Sequence, residues 1–290
     1  MTALTRRRAL AFTGAGLAST CFPAKARTAA IWTKQAELAV GGGAIHYGER
    51  GAGAPLVLLP KLGGWIADWE AVAPLIASGR RLIAIDPPGH GGSRMNGPAP
   101  HIMTMPECAA MVLAALDTIG IERCDFLGNS LGGVISLLIA ATYPERVDRL
   151  ALISTAMAEP MTRAQILRQD AERRAAGTPL VRSAAEQKAR FGTIDPAISR
   201  QQAQSNAQAG AWKAACERGV GLLGIARYLP RVAAETLVIS ADRGAYLRYN
   251  AVARAAMPHV RIETVTDTGS FVHQEKPQAA AALLNDFLTR

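Results

Sequence analysis

At 290 residues and 49 % hydrophobic content, the chain can bury a substantial core, and no apolar run approaches the ~20 residues needed to span a bilayer, which excludes a stable membrane span. The formal charge of +9 is basic, but neither aromatic interleaving nor zinc-ligand spacing accompanies it, which excludes the common nucleic-acid-binding designs. The four cysteines, Cys21, Cys108, Cys124 and Cys216, are too widely spaced for a disulfide framework, and buried packing is expected of the last three.

The chain opens on Thr5-Arg6-Arg7-Arg8 before the short apolar segment 9–17, and Ala24-Lys25-Ala26 offers a small-x-small cleavage site. Residues 1–26 therefore read as an export signal of the twin-arginine type, directing the chain to the periplasm, against the alternative of a frayed basic terminus. Cleavage after Ala26 would lower the formal charge to +5. Two short strands follow, over 37–40 and 41–50, as an antiparallel pair closed by the turn Gly51-Ala52-Gly53-Ala54-Pro55. Apolar strand-length runs then recur at 56–59, 82–85, 124–127, 150–153, 237–239 and 261–265, separated by segments of helical spacing. That alternation predicts an α/β fold, a mainly parallel sheet covered by helices on both faces.

Between the runs at 124–127 and 150–153 stands Gly128-Asn129-Ser130-Leu131-Gly132, a G-x-S-x-G motif with a strand before it and a helical stretch after it. Such a turn exposes the serine hydroxyl and aims the next backbone N–H and a helix N-terminus at the same point. About 80 residues separate Ile153 from Leu237, too many for one crossover helix, and an inserted helical lid over 157–230 explains them. Thr178-Pro179, Asp195-Pro196 and Gly210 divide this insert into about four helices. From Glu159 to Pro230 it carries 11 Lys/Arg against 6 Asp/Glu. The excess either steers an acidic ligand toward the cleft or is an ordinary solvated helical face. The remaining segments, 27–156 and 231–290, make the core domain.

With three further stretches the sequence resembles the α/β-hydrolase superfamily, particularly its small-lidded esterase and enol-lactonase-like branch. Asp86-Pro87-Pro88-Gly89-His90-Gly91-Gly92-Ser93 is similar to the family's D-x-P-G-x-G-x-S loop. The segments 236–244 and 267–277 resemble those that deliver the catalytic acid and the catalytic histidine. The resemblance implies an eight-stranded sheet and a serine nucleophile, Ser130, needing no metal or organic cofactor. It also implies an oxyanion pair from the backbone N–H groups of Leu62 and Leu131, although the loop Pro60-Lys61-Leu62-Gly63-Gly64 lacks the His-Gly common there. A solvated lysine is expected at Lys61 and core packing at Trp65, Trp69 and Trp212.

Both delivery segments depart from the pattern where it matters. The acid position holds Gly244 and the histidine position holds Ser270. A serine cannot act as general base near neutral pH, and glycine cannot orient anything. His273, three residues on, is the preferred surrogate base. Asp242 is the surrogate acid carried forward, with Glu159 and Asp267 as alternatives, although each carboxylate also suits a turn or a helix cap. His46, His90, His101 and His259 are read as structural. Two readings stay open: a hydrolase of a small carboxylic ester or lactone with a rearranged triad, or a triad-deficient homologue that binds a ligand or acts as a non-hydrolytic pocket catalyst. The oligomeric state is not legible.

Overall fold

The computed structural model describes residues 30–76, 78–177, 185, 188, 191, 192 and 195–289. The export signal expected over 1–26 and the break expected at Thr178-Pro179 lie outside these residues. In chain order the strands are β1 (Lys34–Val40), β2 (Gly43–Gly51), β3 (Ala54–Leu59), β4 (Arg80–Ile85), the two-residue β5 (Arg94–Met95), β6 (Cys124–Asn129), β7 (Val147–Ile153), β8 (Glu235–Ala241) and β9 (Val260–Val265). The helices are α1 (Met105–Thr118), α2 (Leu131–Thr142), α3 (Arg163–Ala175), α4 (Pro196–Leu223), α5 (Tyr249–Ala256), α6 (Val272–Glu275) and α7 (Pro277–Leu288).

The sheet runs β1-β2-β4-β3-β6-β7-β8-β9, with β5 paired off this path to β2. The pairs β1–β2 and β2–β4 are antiparallel, and every pair from β4–β3 to β8–β9 is parallel. The eight strands of this path match the expected sheet; β5 is an addition the sequence did not signal. Parallel strands buried on both faces need apolar residues at consecutive positions, and the period-2 pleat divides them between two cores. In β3, Val57 and Leu59 join the core under α1 and α2, while Leu56 and Leu58 join the core under α7. Leu150 and Leu152 against Ala151 and Ile153 repeat the division in β7.

Local chemistry starts the helices where the sequence places them. Thr104 and Glu107 form a capping box at α1, and Thr162 and Gln165 form another at α3, each satisfying two amides that a helix start leaves unbonded. Asp195 caps α4, with Pro196 at its first position. Gly210 interrupts α4 at φ 50° and ψ −125°, as its place in the insert predicts, and Gly224 ends it in the left-handed region. Cys108, Cys124 and Cys216 are buried free thiols. Among the described residues no helix is long and apolar enough to cross a membrane.

Candidate active site

Ser130 sits between β6 and α2 at φ 51° and ψ −107°, a conformation that a side-chain-bearing residue adopts only under constraint. The flanking glycines supply it. A Cβ on Gly132 would lie 2.0 Å from the Leu59 carbonyl oxygen, and one on Gly128 would lie 2.5 Å from the Gly133 nitrogen. Backbone bonds from Ser130 N to Ile153 O (3.2 Å) and from Gly132 N to Pro60 O (3.0 Å) hold the turn against both neighbouring strands. Leu131, the first residue of α2, has an amide with no carbonyl a turn earlier to bond.

The Ser130 hydroxyl faces a cavity of about 90 Å³, also lined by Lys61, Leu62, Asn129, Tyr246 and Ser270, with α4 contributing Gln202, Asn206, Lys213 and Glu217. Gln202 and Asn206, four residues apart, share a face of α4 before Gly210, and Lys213 and Glu217, also four apart, share one after it. The hydrogen-bond partner of Ser130 Oγ is the Tyr246 hydroxyl at 3.3 Å. Tyr246 was not foreseen. Its one signal is position, two residues past Gly244 in the loop from which the family pattern takes its acid.

The structure brings Gly244 and Ser270, the two positions that depart from the sequence pattern, together. A Cβ on Gly244 would lie 2.7 Å from Ser270 Oγ, and Ser270 is buried with that oxygen unbonded. Its backbone N–H donates to Phe191 O of the insert at 2.7 Å.

The surrogates do not assemble, and both assignments are corrected. His273 is fully buried with neither ring nitrogen hydrogen-bonded, so it does not serve Ser130. It lies on α6, and its ring packs 4.5 Å from that of Trp69. Burial, aided by the nearby positive charge of Lys61, pushes its pKa down to about 3. Asp242 is exposed and accepts from the backbone N–H groups of Asp267 (3.0 Å) and Thr268 (3.3 Å), tying the end of β8 to the loop after β9. Those backbone bonds come first among the causes that lower its pKa. Of the alternatives, Glu159 is exposed beyond β7 and Asp267 pairs with Arg243 at the surface.

Lys61 also departs from expectation. Only 5 % exposed, it places Nζ 3.3 Å from Asp68 Oδ2, in ion-pair contact but without hydrogen-bond alignment. Burial raises the pKa of Asp68, and the lysine opposes that shift. A Cβ on Gly64 would lie 2.3 Å from the same carboxylate oxygen, so the second glycine of this loop makes room for the pair.

The other histidines have structural partners where partners are shown. His46 Nδ1 meets Asp86 at 2.7 Å, which raises the His46 pKa. Asp86 also accepts from the backbone N–H groups of Ile66 (2.6 Å) and Gly92 (2.7 Å), stapling the Gly/Pro loop beside the cleft. His90 Nδ1 meets Pro88 O at 3.0 Å, and burial lowers its pKa to about 4. His101 lies 3.3 Å from Asp170. Trp69 is core, as expected, and the Trp212 ring covers Gly89, where a Cβ would come within 2.2 Å. Among the described residues no group of three or more His, Cys, Asp or Glu could hold a metal.

The sequence pattern of the alpha/beta hydrolase fold matches residues 54–189. Over 119 residues the chain is 40 % identical to the dihydrolipoyllysine-residue acetyltransferase component of an acetoin cleaving system from Pseudomonas putida, covering 40 % of this chain and 31 % of that protein. It is 34 % identical over 118 residues to the 2-hydroxy-6-oxo-6-phenylhexa-2,4-dienoate hydrolase of Comamonas testosteroni, covering 38 % and 39 %. The chain thus spans about two fifths or less of the length of these curated relatives. Among solved structures, a hydrolase from Pseudomonas aeruginosa PA01 superposes with a TM-score of 0.73 at 25 % identity, covering 89 % of this chain and 99 % of that one.

Proposed function

We propose that the chain is a serine hydrolase of the α/β-hydrolase superfamily, acting on a small carboxylic ester or lactone, in which Ser130 is the nucleophile. One observation carries this reading: the hydroxyl is presented in a strained elbow, over a cavity, at the N-terminus of α2. Ser130 Oγ bonds to the substrate carbonyl carbon, and the carbonyl oxygen takes up the electron pair. The Leu62 and Leu131 N–H groups receive that oxyanion, each donor worth roughly 2.7–4 kcal/mol. In this reading the Tyr246 hydroxyl relays the proton, accepting it from Ser130 and passing its own to the alkoxide that departs as the carbonyl carbon–alkoxide bond breaks, after which water cleaves the acyl-serine ester and releases the acid. Turnover is expected to be slow, because losing an imidazole base costs about 10⁶ in a well-dissected serine protease.

The absence of an imidazole from the hydrogen bonds of Ser130 favours a second reading, a ligand-binding descendant in which the serine only donates a hydrogen bond. A fluorophosphonate probe separates the two. Labelling of the folded chain that disappears in Ser130→Ala supports the nucleophile; an unlabelled native chain leaves the binding reading standing.

A further inference from the structure

Four residues that line the Ser130 cavity each carry a buried polar atom that the protein itself does not satisfy. Asn129 Oδ1, Gln202 Nε2, Asn206 Oδ1 and Ser270 Oγ have no hydrogen-bond partner among the described residues. Asn129 is 1 %, Ser270 1 % and Gln202 3 % exposed. They come from three directions: Asn129 from the elbow, Ser270 from the loop after β9, and Gln202 and Asn206 from successive turns of α4. The Asn129 amide is oriented by its Nδ2, which donates to Ile153 O at 2.8 Å and leaves Oδ1 as the open acceptor. Asn206 Oδ1 stands over the oxyanion loop, 2.0 Å from where a Cβ on Gly63 would be.

Folded proteins leave few buried polar atoms unbonded, and a cluster of them around one cavity marks groups that water or a ligand completes. An alkyl group entering here would displace that water and strand the amides, whereas a group with its own donor and acceptor would replace it. Carboxylates lack the donor that Asn129 Oδ1 requires; hydroxyl and carboxamide groups have it.

We infer that the Ser130 site selects short esters or lactones bearing a hydroxyl or carboxamide close to the carbonyl, over their plain alkyl counterparts, and that Gln202 and Asn206 carry the selection. This rests on Ser130 being the reacting centre. Binding to a Ser130→Ala chain, which cannot turn substrate over, tests the selection apart from hydrolysis. Phenyl 3-hydroxybutanoate is expected to bind at least about tenfold tighter than phenyl butanoate, by calorimetric titration or ligand-observed NMR. Adding Gln202→Met and Asn206→Leu brings the ratio to about one, with melting temperature as the folding control; Asn206→Leu alone, which lowers the ratio partway, serves if the combined variant unfolds. Equal or reversed affinities, no binding of either ester, or a ratio untouched by the α4 substitutions would overturn the inference. Failure of the native chain to hydrolyse either ester while the binding ratio holds would instead sink the hydrolase reading alone.

Discussion

Gly244 and Ser270 stand against each other beside the elbow serine, with 2.7 Å between a Cβ placed on the one and the Oγ of the other. These are the positions where the family pattern has its acid and its histidine. At 2.7 Å the two overlap, so a side chain at 244 requires the side chain at 270 to shift.

Replacing both together, with the 270 side chain turned aside, should speed hydrolysis. Ser270→His with Gly244→Asp is expected to raise p-nitrophenyl butanoate hydrolysis by roughly 10²–10⁴, the usual contribution of a positioned acid–base group. Each single variant should gain much less, because an unoriented imidazole and an unpartnered carboxylate are poor catalysts. A double variant no faster than the native chain would mean that the elbow itself is not competent.

Tyr246→Phe removes the one hydrogen-bond partner shown for the Ser130 hydroxyl. If the phenol relays the proton, the phenylalanine variant should lose at least about tenfold in kcat/KM with KM little changed. An unchanged kcat/KM in the variant assigns the proton elsewhere.

His273→Phe should leave fluorophosphonate labelling unchanged and alter acid stability. The native ring stays neutral down to about pH 3, while the unfolded chain protonates it near 6.5. The unfolded state thus binds the extra proton between those values, and native stability falls as pH drops through that window. Removing the ring should flatten the fall by up to about 1.4 kcal/mol per pH unit, read from urea unfolding at pH 4, 5 and 6. Identical slopes for the two chains would show that burial does not hold this imidazole neutral.

Lys61→Met leaves the Asp68 carboxylate buried without its counter-charge and should destabilise the fold by about 3–5 kcal/mol. Lys61→Met with Asp68→Leu replaces both charges by apolar groups and should recover most of that loss. Equal denaturation midpoints for the native and single-variant chains would contradict the pairing seen at 3.3 Å.

The strands and the elbow were legible because their signals are local. Consecutive apolar residues such as Leu56 to Leu59 can be placed without knowing their neighbours, and the glycines around Ser130 state their own steric reason. The surrogates failed because side-chain direction is a tertiary property. Position 273 is near the vacated base in sequence, but it falls on α6, whose buried side meets Trp69. Asp242 had acceptors to fill, and the backbone of the loop after β9 filled them first. Tyr246, Gln202 and Asn206 became visible only once the course of a loop and of α4 was known.

The Ser270 N–H bond to the Phe191 carbonyl has a bearing on any attempt to evolve this chain. Phe191 and Phe271 also pack ring to ring, 5.3 Å between centroids. The stretch that would carry a reinstated imidazole is thereby laced to the insert. A library that randomises one partner while freezing the other would sample mostly mismatched pairs, so diversity belongs in both at once.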